Sequence, residues 1–330
     1  MIRSVPAALV PLMLVTAGCE AGARPGAVAV DTLHGGRVVV SSPAPAPGDA
    51  PAWRLVEELR LGQSTGTGPD IFGNIMAVET DRQGRIYIAD NHAHEIRFFD
   101  AAGRFLRTVG GQGEGPGEFN LISGVLWHPD GMLWVMDPRN FRLTALSGSG
   151  DFLGGHRREL GFYYTTIPWA GQFDSLGRLY DREQASRERQ DDRKIIVRYA
   201  SLHPDRTLQP LDSLAIPGVD IERSEYVTER EGIRMLSSVP FTPGQFTAIA
   251  PNGDVWLAHT GDYRLHRVAF DGDTLRTVEL RQPSPRVSDA ERDSIAAETG
   301  LDPDRIPDVK PPIRHFTTDD RGRLWVELRR

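Results

Sequence analysis

The sequence is poor in cysteine, in long apolar runs and in positive charge, and each shortage excludes a class of protein. Cys19 is the only cysteine in the 330 residues, so no disulfide can form within the chain. The apolar stretch at residues 5–16 contains Pro6 and Pro11, and it is shorter than the roughly 20 residues that span a bilayer as a helix. The formal net charge of −7 disfavours nucleic acid as a partner, because phosphate binding requires a basic face.

Common catalytic and metal-binding motifs are also missing. The sequence has no His-Glu-x-x-His, Cys-x-x-Cys, Gly-x-Ser-x-Gly or calcium-loop pattern. His92 and His94 could present two imidazoles on one face of an extended strand, but a solvated surface loop is the simpler interpretation. The glycine-rich segment 111–117 is followed by β-prone residues and not by a helix, which favours a turn over a phosphate-binding loop.

Glycine and proline are abundant, with 34 and 24 residues. This frequency suits many short strands joined by turns better than it suits helices. The hydrophobic fraction of 39% and the charged fraction of 25% are ordinary for a globular domain. We therefore expect one large all-β domain over residues 53–330.

The N-terminus has the features of an export signal. Arg3 is followed by the apolar stretch and by the small residues Ala17 and Gly18, directly before Cys19. Residues 15–19 resemble the lipobox of bacterial lipoproteins, which implies a signal peptide at 1–18 and lipidation of Cys19. The alternative is a plain secretory signal cleaved after Ala23. Residues 19–52, rich in Ala, Gly and Pro, are predicted to be a spacer, although residues 37–40 are β-prone.

A turn containing Asp or Asn and ending in glycine precedes an apolar strand five times. The copies lie at residues 81–90, 129–137, 174–180, 251–258 and 320–326. The spacings between their glycines are 47, 46, 76 and 69 residues. The first two match the period of roughly 40–50 residues of a four-stranded propeller blade, and the last two require insertions.

Several of these segments resemble a known family. Residues 81–90, 96–100 and 103–106 are similar to an NHL repeat, and residues 110–119 and 320–326 are similar to segments of bacterial six-bladed β-propeller lipoproteins. The resemblance implies an all-β, six-bladed propeller of four-stranded blades without an assigned reaction. Five blade motifs are visible. Ser288 and Glu291 have the spacing of a capping box and Gly300 that of a C-cap, which predicts one short helical insertion.

The sequence leaves the closure of the ring open. The chain stops at Arg330, one strand into the fifth hairpin. Either N-terminal strands complete a five-bladed ring, or the C-terminus is shortened relative to the family. Partial alternation over residues 53–61 predicts that this segment is an outer strand of the last blade.

Strand order predicts which loops share a face of the propeller. Links between blades lie on the same face as the loops that join second to third strands. Two long insertions, at about 219–240 and 282–312, fall in such links, and elaborated loops on a rigid scaffold usually mark a binding face. The candidate ligand-binding residues on this face are His92, His94, Arg139, Arg182, His259, Arg314 and His315.

The cationic character of this set favours a carboxylate-bearing ligand. The alternative is that each arginine pairs with a neighbouring acid and leaves little net potential. Asp90, Asp137 and Asp181 recur after the second strands; they could surround a cation, but carboxylates that cap turns are the more ordinary interpretation.

Two functional hypotheses follow. The favoured one is a non-enzymatic binding or scaffold module for a protein, peptide or glycan, without a cofactor or a catalytic residue. It would be tethered to a membrane as an exported outer-membrane lipoprotein facing the periplasm or the outside, because Glu20 and not Asp follows the cysteine. The alternative is a cation-dependent hydrolase or lyase with Ca²⁺ at the mouth of the central channel, which requires three or more ligands to converge.

Substitution of Cys19 by alanine tests the anchor. Several acyl chains bind a bilayer firmly, since each buried methylene contributes about 0.8 kcal/mol. We expect Cys19→Ala to move the protein from the membrane pellet to the soluble fraction. Retention of the variant in the pellet after a carbonate wash would contradict lipidation.

Overall fold

The computed structural model describes residues 28–33, 36–43, 56–158, 168–184, 194–216, 225–230, 233–281 and 283–329. Cys19 and the predicted signal peptide lie outside these ranges. Within them, no helix has both the length and the apolar character needed to cross a membrane.

Two N-terminal strands precede three four-stranded antiparallel sheets. The N-terminal strands are β1 (Ala29–Thr32) and β2 (Val38–Pro43). The first blade contains β3 (Ile75–Thr80), β4 (Ile86–Asp90), β5 (Glu95–Phe99) and β6 (Phe105–Gly110); the second contains β7 (Gly124–Trp127), β8 (Met132–Asp137), β9 (Arg142–Ser147) and β10 (Phe152–Arg157); the third contains β11 (Gln172–Phe173), β12 (Arg178–Gln184), β13 (Lys194–Ser201) and β14 (Pro210–Ile216). Each sheet pairs its strands in chain order.

The remaining elements form two further blade sheets and two insertions. A hairpin of β15 (Glu225–Arg230) and β16 (Ile233–Ser238) precedes the fourth blade, which contains β17 (Gln245–Ile249), β18 (Val255–His259), β19 (Arg264–Val268) and β20 (Thr274–Arg281). Helix α1 (Asp289–Thr299) and the 3₁₀ turn η1 (Pro303–Arg305) then lead to the fifth blade, a hairpin of β21 (Ile313–Thr318) and β22 (Leu324–Leu328).

The first strand of each blade is the inner strand, and these inner strands lie side by side. Strand β3 contacts β7, β7 contacts β11, and β17 contacts β21. Between the third and fourth blades, the backbone N–H of Ile249 donates to Gln172 Oε1 at 2.6 Å. Four apolar clusters fill the spaces between successive blades, so the core is divided into inter-blade layers. The predicted β-propeller is confirmed.

The predicted helix is confirmed with both caps. Ser288 Oγ accepts a hydrogen bond from the backbone N–H of Glu291, whose side chain accepts one from the backbone N–H of Ser288. Gly300 ends α1 in the left-handed conformation, at φ 70°, which a side chain would strain.

A buried carboxylate organises the turn between the first and second strands of a blade. Asp81 accepts hydrogen bonds from two backbone N–H groups of its own turn, from Arg85 Nε at 2.6 Å and from Tyr87 OH at 2.9 Å. The same set recurs around two further carboxylates, as Asp174 with Arg178 and Tyr180, and Asp319 with Arg323 and Trp325. We call each set of aspartate, arginine and aromatic residue a turn triad.

The turn between the first two strands also binds the next blade. Arg85 Nη1 donates to the carbonyl of Gly148 in the second blade at 2.9 Å, and the hydroxyl of Tyr87 lies 3.3 Å from the same oxygen. The triad of the third blade packs on Gly253 of the fourth, where a Cβ atom would lie 2.5 Å from the hydroxyl of Tyr180. Only glycine fits there, because φ is also 86°.

The second blade replaces the triad aspartate with His128. Its Nδ1 accepts from the backbone N–H of Asp130, and its Nε2 lies 3.3 Å from the carbonyl of Gly177 in the third blade. Trp134, at the aromatic position of this blade, is fully buried and its indole N–H has no hydrogen-bond partner within the described residues. The orphaned donor follows from the missing carboxylate.

The N-terminal segment that pairs with a blade is not the one predicted, residues 53–61. The described part of that segment, residues 56–61, contains no strand, and Leu59 and Leu61 lie instead against Gly103 of the first blade. The N-terminal strand that pairs with a blade is β2, which overlaps the β-prone residues 37–40 and lies parallel to β20, the outer strand of the fourth blade. Ser41 Oγ donates to Glu279 Oε1 across this pair. Three consecutive valines favour the strand conformation of β2, and their side chains are half-buried.

Strands β1 and β2 fall within the stretch predicted to be a spacer, residues 19–52. They extend the fourth blade to six strands, in the order β1-β2-β20-β19-β18-β17. The described part of this stretch therefore includes sheet structure as well as linker. The domain boundary at residue 53 stays a prediction.

Truncation tests the role of β2. A protein beginning at residue 28 keeps both N-terminal strands, whereas one beginning at residue 44 exposes the edge of β20. We expect the shorter protein to melt at a lower temperature and to aggregate, because an unpaired edge recruits other strands. Equal solubility and equal melting temperatures would contradict the pairing of β2 with β20.

Asp81→Asn tests the turn triad. Burial alone would raise the pKa of Asp81, but hydrogen bonds from Arg85 and Tyr87 outweigh it and hold the pKa below its usual value. Because the folded pKa is depressed, this stabilisation is present at neutral pH and is lost as the pH falls through the acid range. We expect a loss of about 2–4 kcal/mol in the free energy of unfolding at pH 7, measured by urea denaturation.

Asp100→Asn is the matched control for that substitution. Asp100 makes the equivalent bonds to its own turn and to Arg104, but on an exposed corner without an aromatic partner. We expect its cost to be much smaller than that of Asp81→Asn, because surface ion pairs contribute little to stability. Equal costs at the two positions would show that burial of the triad contributes nothing.

Candidate functional site

The propeller has two faces that differ in construction. On one face, which we call the turn face, lie the short turns after first and third strands, such as residues 81–85 and 100–104. On the other, the loop face, lie the loops between second and third strands and the links between blades. His92, His94 and Arg139 lie in these loops, His259 ends β18 on this face, and β21, which begins on this face, contains Arg314 and His315. Arg182 lies inside β12.

Asp90 and Asp137 are structural on this face. Asp90 accepts hydrogen bonds from the backbone N–H groups of Gly73, Asn74 and His92 at 2.9 to 3.1 Å. Asp137 bonds in the same way to Asn120 and to the loop that follows it. Each carboxylate thus joins the segment before the first strand of its blade to the loop after the second strand, as the turn-capping interpretation predicts.

Asp181 belongs to a buried network in the third blade. Its carboxylate accepts from Arg158 Nη2 at 2.7 Å and from Trp169 Nε1 at 2.9 Å. Arg158 also donates to the hydroxyl of Tyr199 at 2.6 Å. The carboxylate therefore has a guanidinium and an indole as partners. This arrangement stabilises the blade and does not leave the carboxylate available to coordinate a metal ion.

Five of the seven predicted residues are exposed, namely His92, Arg139, His259, Arg314 and His315. His92 packs against Gly73, and Arg139 follows Asp137 with an exposed side chain. His259 is the last residue of β18 and lines an apolar groove of about 380 Å³ between the third and fourth blades. His94 is half-buried at φ 59°, and its Nδ1 is buried without a hydrogen-bond partner among the described residues.

Arg182, Arg314 and His315 are engaged in the scaffold. Arg182 lies within β12 and not in the loop after it, and it donates to Thr247 Oγ1 of the fourth blade. Arg314 Nη1 donates to Glu327 Oε1 at 2.9 Å, so its charge is paired, as the alternative interpretation predicted for an arginine. His315 packs edge-on against Phe246, with ring centroids 5.7 Å apart.

The seven side chains are not joined into one cluster. No hydrogen bond, ion pair or ring contact within the described ranges links any two of them. Arg314 and His315 are successive residues of β21 at a β-bulge, where the alternation of side chains is interrupted, and both are exposed. The loop face thus presents the exposed guanidinium of Arg139 and the exposed imidazoles of His92 and His259 at separate places.

The two insertions pack together into a small cap on the loop face. Val239 precedes the fourth blade, while Val287, Leu301 and Ile306 follow it, and these four share one buried cluster. Arg305 Nη2 also donates to the carbonyl of Glu225 in the hairpin, at 2.7 Å. Sequence reasoning placed both insertions on one face but missed their shared core; the apolar residues in both were the available signal.

A pocket of about 240 Å³ opens on the turn face, where the inner strands of all five blades end. Its lining is Glu79, Leu126, Trp127, Gln172, Phe173, Ile249, Pro251, Thr318, Asp319 and Asp320. This site was not predicted from the sequence. The available signal was Glu79, a charged residue within an inner strand that otherwise carries small or apolar side chains.

Glu79 is the unusual ionisable group of this pocket. Burial raises its pKa to about 7, and a hydrogen bond from the backbone of Thr80 opposes the shift only in part. Its side chain forms no ion pair with any described residue. A carboxyl group that titrates near neutrality can exchange a proton at physiological pH or hold a cation.

No grouping of three His, Cys, Asp or Glu side chains suited to a metal ion occurs in the described part of the chain. The turn-face pocket has three acidic residues in its lining, but Asp319 is already engaged by Arg323 and Trp325.

Glu79→Gln tests the burial of this carboxyl. Since the folded pKa is raised from 4.5 to about 7, folding holds the proton more tightly, and stability falls as the pH rises across this interval. We expect the variant to lack this fall and to be more stable than the wild type at pH 8, by roughly 1–3 kcal/mol. The measurement is urea denaturation of both proteins at pH 5 and pH 8. Parallel pH dependences would show that solvent reaches the carboxyl.

A family described as a 6-bladed beta-propeller matches residues 70–127, which comprise the first blade and the inner strand of the second. No curated protein matches the chain.

Two solved structures illustrate the similarity to other propellers. A protein of Bacteroides fragilis, described as exported, is 14% identical over 74% of this chain and 62% of its own, with a TM-score of 0.44. Virginiamycin B lyase of Staphylococcus aureus is 11% identical over 76% and 62%, with a TM-score of 0.40. The chain thus spans less than two thirds of either protein. Its own sheets and the family match together identify it as a β-propeller whose first blade is similar to the six-bladed family.

Proposed function

We propose that this propeller is a non-enzymatic binding module of the cell envelope, which uses its loop face to bind a protein, peptide or glycan. The observation that supports this most is the cap. Two insertions separated by the whole fourth blade share one apolar core, so the loop face carries an ordered structure that the turn face lacks. Ordered insertions on one face of a rigid scaffold are typical of binding proteins.

The ligand proposed for this face carries carboxylates. His92, Arg139 and His259 are exposed there, and Arg139 forms no ion pair with any described residue. The overall charge of −7 opposes the approach of acidic ligands, so the attraction for a carboxylate has to come from the local guanidinium of Arg139. Glu327 pairs with Arg314 and offsets its charge. We therefore expect Arg139 to contribute more than Arg314 to the binding of an acidic ligand.

An anchor at Cys19 would orient the module. Strand β1 begins at Ala29, ten residues beyond the cysteine, and it forms the outer edge of the fourth blade. A chain of this length extends at most about 35 Å. A lipid on Cys19 would therefore hold the edge of the fourth blade near the membrane surface, as expected of an outer-membrane lipoprotein facing the periplasm or the outside.

Binding of acidic oligosaccharides tests the proposal. We expect immobilised uronic-acid oligosaccharides to bind the wild-type protein, and their neutral counterparts not to bind. The double variant His92→Ala/Arg139→Ala should weaken binding at least tenfold, because it removes charge at the surface. Its melting temperature should stay within about 2 °C, since neither side chain is buried.

Arg321→Ala is the matched control, because Arg321 is an equally exposed arginine on the turn face. Its binding should equal that of the wild type. Equal losses in the control and the double variant would point to nonspecific charge attraction. Saturable Ca²⁺ binding with hydrolysis or elimination of the oligosaccharide would favour the cation-dependent enzyme instead.

A further inference from the structure

The turn-face pocket is an open depression whose walls are fixed by hydrogen bonds between blades. Five strand ends from five blades form it, and the turns around it are fixed by the triads of Asp81, Asp174 and Asp319. Within the lining, the backbone N–H of Ile249 donates to Gln172 Oε1, and its carbonyl accepts from Thr318 Oγ1 at 2.8 Å. These bonds join the third, fourth and fifth blades at the wall of the pocket.

Glu79 supplies a negative charge that the scaffold does not neutralise. The triad carboxylates each lie within 2.6 Å of an arginine, whereas Glu79 has no basic partner among the described residues. The lining contains no lysine, arginine or histidine. Ionisation of Glu79 therefore creates a charge that no basic side chain of the lining offsets, and a bound cation would be attracted to it.

Aromatic walls favour an organic cation over a metal ion. Trp127 and Phe173 both line the pocket, and both are held in place by other rings. The indole of Trp127 stacks on Tyr87 with centroids 5.2 Å apart, and Phe173 packs edge-on against His128 at 4.9 Å. An ammonium group gains from a carboxylate and an aromatic face together, whereas Ca²⁺ requires six to eight oxygen ligands.

The size of the cavity limits the ligand. A volume of about 240 Å³ is below the range of about 300–1,000 Å³ typical of sites for drug-sized molecules, and it fits an ammonium group on a short alkyl chain. We propose that the turn-face pocket is a binding site for an ammonium group, paired with the carboxylate of Glu79 between Trp127 and Phe173. The group can belong to a free amine or to a lysine side chain of a peptide.

Calorimetry with small probes tests this site. Cadaverine represents a free amine, and N-acetyl-lysine methylamide represents a peptide lysine. N-acetyl-norleucine methylamide has the alkyl chain without the charge. We expect a charged probe to bind the wild-type protein at pH 8 and the neutral probe to bind at least tenfold more weakly. Preference between the two charged probes identifies the source of the ammonium group.

Glu79→Gln should weaken binding of the charged probe at least tenfold while the protein remains folded, as its melting curve will show. Asp100→Asn is the control, since this carboxylate lies on the same face outside the pocket. Its binding should be unchanged.

The affinity should also depend on pH in a defined direction. An ammonium group binds the ionised carboxyl, so affinity should fall as the pH is lowered below about 7, the pKa of Glu79, and should be constant above it. The lining contains two other titratable groups, Asp319 and Asp320. Hydrogen bonds from Trp325 and Arg323 lower the pKa of Asp319. Tyr87 lies opposite Glu79 on β4, and its pKa is raised by burial and by Asp81.

Three outcomes would overturn the inference. They are equal binding of the neutral and charged probes, unchanged binding by Glu79→Gln, and no binding of either charged probe at millimolar concentration. Binding of Ca²⁺ that displaces the amines would assign the pocket to a metal ion instead. None of these results bears on the loop face, because its residues lie at the other end of the blades.

Discussion

The buried carboxylate of the turn triad is the interaction on which the rest of this propeller depends. Asp81 satisfies two backbone donors of its own turn, fixes the guanidinium of Arg85 and orients the hydroxyl of Tyr87. The arginine and the tyrosine then reach the carbonyl of Gly148 in the next blade. One side chain thus closes a hairpin and sets the spacing between two sheets, which nonspecific apolar packing could not do alone.

This constraint divides the molecule into two unlike faces. The turn face is held at short, repeated turns, so the ends of the inner strands have little freedom and can enclose a pocket. The loop face has no such repeat, and there the chain accommodates a hairpin and a helix that bury an apolar core of their own. Glu79 is half-buried on the first face, and this burial raises the pKa of its carboxyl.

Much of the fold could be predicted from the sequence because its signals are local. Glycine turns, apolar strands, and the pair Ser288 and Glu291 specify their structures within a few residues. The N-terminal strand that extends the fourth blade could not be assigned in this way. Residues 53–61 alternate as a strand would, but β2 lies beside β20, more than 230 residues later, and only the tertiary structure decides between such segments. For the site, exposure of His92 and Arg139 followed from loop position, whereas the partners of Arg182 and Arg314 depended on neighbouring strands.

The central claim is that the triads hold five strand ends together tightly enough to enclose the carboxyl of Glu79. The most direct measurement is the titration of that carboxyl by carbon-13 NMR in protein labelled at glutamate, with Glu79→Gln to assign the resonance. If the strand ends enclose the carboxyl of Glu79, its titration has a midpoint near pH 7. A midpoint near 4.5, the value of a glutamate in water, would show that solvent reaches the carboxyl and that the strand ends enclose no site.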